Sequence, residues 1–418
     1  MRGLPVADMS NSGSAIVAPW LTVIGVGEDG VAGLGDEAKR LIAAAPVVFG
    51  GVRHIELAAC LIQGESEAWQ SPFEKSVEAI ASRRGSPVVV LASGDPFLYG
   101  VGATLARRID ASEIRTIPAP SAFSLAASRL GWPLQDVATI SLHGRPLDLI
   151  RPQLQPGARV LALTSDGNGP RALAELLSES GFGQSRLTVL EALGGERERI
   201  SRNIAASFAL ENIAALNVCA VEIVAGGGAR VLPLAGGLDD ALFEHDGQIT
   251  KREVRALTLS ALAPRKGELL WDIGAGSGSI AIEWMLADPA MRAIAIEASP
   301  ERAARIGRNA GRFGVPGLTV VEGQAPEALR GLTRPDVIFI GGGGSDAGVM
   351  EAAIAALSSG GRLVANAVTT EMEAVLLAHH ARLGGSLIRI DIARAAPVGT
   401  MTGWRPAMPV TQWSWVKS

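Results

Sequence analysis

The chain is predicted to be an α/β protein of two domains, an N-terminal α/β sandwich followed by a doubly wound parallel sheet. Three observations carry that prediction. Apolar, strand-like runs alternate with helix-like segments through most of 418 residues, a length that favours two domains over one. The alternation breaks down around Gly226-Gly227-Gly228 and 233–237 and then restarts. Each half also carries a glycine-rich elbow of its own, built differently from the other. The expected organisation is a disordered leader over 1–19, a first domain over 20–225, a linker over 226–244 and a second domain over 245–418.

In the first domain, short apolar runs predict strands at 20–26, 47–49, 88–92, 115–118, 159–163 and 187–192. Helices are expected between them at 36–45, 73–83, 100–109, 121–130, 170–179 and 205–210, joined by Gly, Pro and Asp connections. After the linker, strands are expected at 268–273, 293–297, 318–321, 336–340, 362–367, 386–393 and 412–416, the last joined by a hairpin. Helices fill the gaps at 280–286, 300–313, 347–357 and 371–383. Such a sheet binds its ligand at the carboxyl ends of its strands.

Composition narrows the function classes. The chain is 48% hydrophobic and 19% charged, enough for large buried cores, and its 50 glycines match many βα turns rather than disorder. A formal net charge of −4 argues against a general nucleic-acid binder. Cys60 and Cys219 stand alone, and the five histidines have no metal-ligand spacing, so neither a disulfide framework nor a metal site is expected. His379 and His380 read as a solvated surface pair. The first 19 residues lack a basic stretch followed by an apolar core, so a signal peptide is not expected. No apolar run reaches the roughly 20 residues that span a bilayer. A cytoplasmic enzyme without a membrane partner is the expectation.

In the second half, the run Leu269-Leu270-Trp271-Asp272-Ile273 opens into Gly274-Ala275-Gly276-Ser277-Gly278 and a helical segment. Strand, glycine turn and helix start in that order make a nucleotide-binding elbow, because glycines tolerate positive φ and let the backbone approach a ligand. A nicotinamide dinucleotide would require another glycine where Ser279 stands. Upstream, Thr250 with Glu253 three residues later reads as a capping box opening an amphipathic helix. In the first half, Val23-Ile24-Gly25-Val26-Gly27 and Ser93-Gly94-Asp95-Pro96-Phe97-Leu98-Tyr99-Gly100 each follow or end an apolar strand. A lone Gly-Asp-Pro is ordinarily a turn in which Asp accepts nearby backbone N–H groups. Its position directly after 88–92 strengthens a functional reading.

The alternating glycines behind Asp272 resemble the first motif of the class I (Rossmann-like) methyltransferases that use S-adenosylmethionine. Glu297 stands where that family accepts from the two ribose hydroxyls, a task suited to a carboxylate with two acceptor oxygens. Gly323-Gln324-Ala325-Pro326 resembles the adenine-contacting segment, with Ala325 offering a backbone contact and Gln324 standing where many members carry an acid. Asp336 to Gly342 resembles the fourth motif, beside the transferred methyl. The stretch 246–255 resembles the entry motif of the decarboxylating precorrin methyltransferases of cobalamin biosynthesis, in which Thr250 would lie over the cofactor.

In the first half, the segments at 23–27 and 93–100, with Pro118-Ala119-Pro120-Ser121-Ala122 and 190–198, resemble the successive motifs of the tetrapyrrole methylases. That resemblance implies a two-lobed fold with S-adenosylmethionine bound between the lobes by Gly25, Gly27, Gly94, Asp95, Pro96, Ser121 and Ala122. It departs from the pattern at Glu28-Asp29-Gly30 and at Leu34-Gly35, so a differently shaped first loop is expected.

The two resemblances together imply a bifunctional transferase of corrin biosynthesis with two S-adenosylmethionine sites. The second domain would methylate C15 of a precorrin and remove the ring C acetate carboxylate. The first domain would methylate C5, giving precorrin-8. Asp336 and Glu253 are the candidates to handle the proton of decarboxylation. Arg252 and Arg255 are the candidates to orient substrate carboxylates, with ordinary solvated helix positions as the alternative. Two alternatives stay open: the same chemistry on a cobalt-containing ring, or one active half with the other a docking or regulatory module. A homo-oligomer is expected from both resemblances.

Overall fold

The computed structural model describes residues 19–418, so the leader expected over 1–19 lies, apart from Pro19, outside the described residues. The chain forms two units: one made by residues up to Gly144 together with Gly157–Gly226, the other by Arg145–Pro156 together with Gly227–Ser418.

The first unit begins with five parallel strands, β1 (Leu21–Val26), β2 (Val47–Gly50), β3 (Glu65–Ala68), β4 (Val88–Ser93) and β5 (Ile114–Ile117), in the order β3-β2-β4-β1-β5. Between them run α1 (Asp36–Ala44), α2 (Val52–Ala58), α3 (Glu74–Ala81) and α4 (Val101–Leu105). All of β1 is buried, as expected of a strand covered on both faces. Alternate residues take opposite sides: Val23, Phe49 and Val90 pack with Val77 and Ile80 of α3, and Ile24, Val48 and Leu91 with Ala38 and Ile42 of α1.

After α5 (Ala122–Leu130) comes a second sheet of β6 (Ala138–Ser141), β7 (Arg159–Leu163), β8 (Arg186–Glu191), β9 (Arg199–Ile204) and β10 (Asn217–Glu222), with α6 (Gly169–Glu179) between β7 and β8. Its order is β6-β7-β10-β8-β9, antiparallel except for β6 with β7. The helix expected at 205–210 is only a short 3-10 turn, Ala205–Ser207.

The second unit opens with α7 (Arg252–Leu262), followed by β11 (Leu269–Ile273), α8 (Ser279–Leu286), β12 (Arg292–Glu297), α9 (Pro300–Phe313) and β13 (Thr319–Glu322). Next come β14 (Val337–Ile340), α10 (Val349–Ala356), β15 (Arg362–Ala367), α11 (Thr370–Leu383), β16 (Ser386–Ile390), an exposed hairpin of β17 (Ala393–Val398) and β18 (Met401–Pro406), and β19 (Val410–Val416). The seven-stranded order is β13-β12-β11-β14-β15-β19-β16, with only β19 antiparallel to its neighbours. The doubly wound expectation holds residue by residue. Leu270, Ala295, Val337 and Phe339 pack with α8 and α9 on one face, while Trp271, Ile273, Ile338 and Ile340 pack with α10 and α11 on the other.

Two expectations change. The segment read as a linker is anchored to the second unit's core, with Leu232, Leu238 and Phe243 buried against α7, α8 and α9 while 233–236 stay exposed. His379 is not solvated; it is buried with its ring stacked on Trp413.

Candidate functional site

In the second unit, β11 has β12 on one side and β14 on the other, so their connections diverge and leave a crevice at the carboxyl ends. A cavity of about 590 Å³ opens there. Gly274, at φ +69°, turns the chain against the loop after β14, where a Cβ would lie 2.6 Å from the Gly342 carbonyl oxygen. The N–H groups of Gly274 and Ala275 both donate to Ile296 O, at 3.0 and 3.1 Å. Glu297, at the end of β12, contacts the glycine loop directly: its Oε2 accepts from Gly276 N at 2.8 Å and its Oε1 from Ser299 N at 3.0 Å. Each oxygen keeps an acceptor position, and the carboxylate lines the cavity.

Of the residues expected to hold cofactor, Thr250, Gly274, Ala275, Gly276, Glu297 and Ala325 line this cavity. Asp272, Ser277 and Gly278 do not. Gly278 is the αL N-cap of α8, and Ser277 is buried with its carbonyl accepting from Asn309. Asp272 is buried beneath the loop, its Oδ2 accepting from Ala281 N in the first turn of α8. These three shape the loop from behind.

Burial above all, with the charge of Glu297 adding to it, pushes the Asp272 carboxyl up to about 7, against 3.8 without the fold. The folded state therefore holds this proton more tightly than the unfolded chain. Its stabilising contribution is complete below pH 3.8 and is lost as pH rises through about 7. Asp272→Asn is expected to flatten the fall in melting temperature of the second unit between pH 5 and 8. Identical slopes in thermal unfolding of the two proteins would show a carboxylate that is ionised throughout.

Five further expectations are corrected by position. Asp336 precedes β14 at the opposite end of the sheet from the cavity, where it is exposed and its Oδ2 accepts from Leu269 N, so it cannot reach a ligand there. Glu253 is on α7 outside the cavity lining and pairs with Arg394. The capping box does not form: α7 starts at Arg252 with Lys251 as its uncapped N-cap, leaving Thr250 one residue outside. Arg255 has no exposed surface; it is held by Glu283, Asp240 and the carbonyls of Thr250 and Leu238. It cannot grip a substrate. Arg252 is exposed on α7 but does not line the cavity.

The cations that do line the mouth are Lys251, Arg302 and Arg394, beside apolar Ile390, Ile392, Met408 and Val410. Lys251 directly precedes Arg252, at the extended N-cap of α7, where helix phase gives no signal. Arg394, on β17, carried no sequence signal. The acid missing from position 324 arrives from another loop: Gln324 Nε2 donates to Asp346 Oδ2 at 3.2 Å, and both line the cavity.

In the first unit a cavity of about 470 Å³ lies between the two sheets. One side is formed by Asp95, Leu98 and 118–121, with Phe123 and Ser124, and the other by Leu134, Val137 and Thr139. Asp95 Oδ1 accepts from Phe97 N at 2.8 Å, so the turn reading is correct and the residue lines the cavity as well. Ser121 lines it while its Oγ accepts from Ser124 N to cap α5. Gly25, Gly27, Gly94, Pro96 and Ala122 are not in the lining. Gly25 and Gly94 let three loops close up: a Cβ on Gly25 would lie 1.9 Å from Gly94 O and 2.6 Å from Ala119 N. Pro96 O accepts from Gly102 N, Gly27 O accepts from Gly30 N, and Ala122 begins α5. The departure at 28–35 takes the form of a 3-10 turn, Gly30–Gly33.

Among the described residues, no helix is long and apolar enough to cross a membrane.

Residues 21–208 match the family model described as tetrapyrrole (corrin/porphyrin) methylases, and residues 241–417 match that of a precorrin methyltransferase domain. A Sinorhizobium precorrin-6Y C(5,15)-methyltransferase [decarboxylating] is 78% identical over 99% of this chain and 100% of its own length. Two Salmonella typhimurium proteins each match less than half of the chain. A cobalt-precorrin-6B C(15)-methyltransferase (decarboxylating) is 33% identical over 41% of this chain and 92% of its own length. A cobalt-precorrin-7 C(5)-methyltransferase is 33% identical over 43% of this chain and 88% of its own length. With nearly its whole length matched at 78% identity, this chain belongs to the family of the decarboxylating precorrin-6Y C(5,15)-methyltransferases.

Proposed function

We propose that the chain methylates precorrin-6Y (precorrin-6B) at C5 and C15 and removes the ring C acetate carboxylate, giving precorrin-8, with one S-adenosylmethionine site in each unit. The observation that carries this is the pair of loop-bounded cavities, one per unit, each near the carboxyl ends of a parallel sheet and built on unlike strand orders. The second unit is the C15-methylating, decarboxylating half and the first the C5-methylating half. In support, two single-activity relatives each match under half of the chain, alongside one family model for each unit. The relative that matches the whole chain is named for a precorrin and the half-length ones for cobalt-precorrins, which favours a metal-free ring.

The second cavity fits the methyl donor. Gly274 lets the loops after β11 and β14 close on each other, Gly276 lines the cavity without a side chain, and Glu297 presents unused acceptor positions for a diol. Asp346 with Gln324 offers an acceptor for an exocyclic amine. Once bound, the donor supplies an electrophilic methyl on a sulfonium. The protein's share is then to align the reacting carbon and exclude water. Lys251 and Arg394 at the mouth are placed to meet substrate carboxylates.

The test is the full chain with precorrin-6Y and excess S-adenosylmethionine. Mass spectrometry should find two methyl groups gained and one carbon dioxide lost, and calorimetry two donor molecules bound per chain. One donor per chain would support the regulatory alternative, and turnover confined to the cobalt-containing ring would replace the substrate.

A further inference from the structure

Beside the first unit's cavity lies a cluster of polar side chains that no step above uses. Glu28 follows β1, Arg53 and His54 follow β2, and Ser93 ends β4, so three adjacent parallel strands deliver them to the same rim. His54 Nε2 lies 2.7 Å from Ser93 Oγ, and Arg53 Nη2 lies 3.2 Å from Ser93 Oγ and 3.0 Å from His54 Nε2. Arg53 also pairs with Glu28. The loop after β8 closes on this rim, where a Cβ on Gly195 would lie 2.8 Å from Glu28 Cβ. Arg197, in that loop, is exposed and forms no ion pair or hydrogen bond among the described residues. It is close enough to add its charge to burial in lowering the proton affinity of Arg53.

The set is rich in donors and short of acceptors. Arg53 has five N–H groups for one carboxylate partner, and Arg197 has none. His54 is held by burial and by Arg53 at about 4, hence neutral near pH 7. Ser93 Oγ can accept from Arg53 and donate to Nε2, which leaves the buried Nδ1 of His54 without a partner among the described residues. An incoming carboxylate supplies acceptor oxygens and no donors, in the planar form that a guanidinium fork matches. The cluster borders the loop carrying Asp95, two residues beyond Ser93, which lines the cavity.

We propose that Arg53, Ser93 and Arg197, with His54 holding the first two in place, form a carboxylate-binding subsite that grips one acidic side chain of the tetrapyrrole during C5 methylation. This rests on the reading of the first unit as the C5-methylating half.

The test uses the full-length enzyme, S-adenosylmethionine and the decarboxylated, singly methylated intermediate as substrate. Arg53→Gln and Arg197→Gln are each expected to raise KM for the intermediate by about 10- to 100-fold, the loss of one charge-assisted contact. Donor affinity at the first site and carbon dioxide release by the second unit should not move. Arg53→Lys, which keeps the charge and loses the fork, should fall between wild type and Arg53→Gln. Should Arg53→Gln fail to fold, Arg197→Gln, at an exposed position, decides alone. An unchanged KM in the variants, or a matching loss of donor affinity, overturns the subsite while leaving the C5 assignment standing. Wild-type enzyme that leaves the intermediate unmethylated removes both.

Discussion

Gly274→Val is expected to abolish C15 methylation and carbon dioxide release while C5 methylation of the decarboxylated intermediate continues at its normal rate. Two independent effects act at this position. Its φ of +69° is a conformation that β-branched residues strongly disfavour. A Cβ there would also lie 2.6 to 2.7 Å from the backbone of Gly342, which has no flexible end to swing away. The loops carrying Gly274 and Gly342 would have to part, and both line the cavity. Displacement of about 1 Å in such a loop costs about 10²-fold in kcat/KM, so the loss should be at least that. Gly276→Val is milder, because its Cβ would meet only the Gln248 carbonyl, at 3.1 Å. The mirror experiment is Gly25→Val in the first unit, with a Cβ 1.9 Å from Gly94 O. It should spare the decarboxylating step and stop the reaction at the singly methylated product. Loss of both activities from either variant, in a protein still folded by calorimetry, would refute two independent sites.

The parts of this architecture legible in the sequence are those fixed by local chemistry. Buried parallel strands such as β4, β11 and β14 are largely apolar runs, and Gly94, Gly274 and Gly343, at φ +53°, +69° and +70°, mark the turns that follow. Elements with no such signature are not legible in the sequence. The edge strand β3 is Glu-Ser-Glu-Ala, and β9 is largely polar because one face meets solvent. The strand β10 is apolar and almost wholly buried, and the sequence reading expects no strand there. The hairpin β17–β18 alternates no pattern at all, so Arg394 was invisible as a cavity residue. The errors at Asp336 and Arg255 have a different cause. Asp336, expected to open the strand 336–340 and to reach the methyl site, lies at the amino end of β14, and the four residues of the strand separate it from the cavity edge. Arg255 is expected to meet substrate because a guanidinium fork suits carboxylates, or otherwise to be a solvated helix position, and it is neither. Its burial depends on Glu283, 28 residues away on another helix, and on a segment taken for a linker.

The buried Arg255 is the source of the largest expected effect on stability. Glu283, itself buried, accepts from Arg255 Nε and from the N–H groups of Gly237 and Leu238. Arg255 in turn donates to the Thr250 and Leu238 carbonyls and to Asp240, and lies 4.9 Å from the centre of the Phe243 ring. Glu283→Ala would leave a fully buried guanidinium with only the partly exposed Asp240 for charge compensation, and two backbone N–H groups without an acceptor. Removing one member of a buried ion pair costs about 3–5 kcal/mol, a large share of the roughly 5–15 kcal/mol that holds a typical domain together. The second unit of Glu283→Ala should therefore unfold at a much lower temperature or denaturant concentration than that of the wild type. Glu283→Gln, which keeps an acceptor in place, should lose less. The double variant Glu283→Leu with Arg255→Met should be more stable than Glu283→Ala, because no uncompensated charge remains. It should nonetheless bind S-adenosylmethionine more weakly in the second cavity: without Arg255, nothing holds the Thr250 carbonyl from behind, and residues 247–251 form one wall. A double variant with restored stability and undiminished donor affinity would show that the buried cation serves the fold alone.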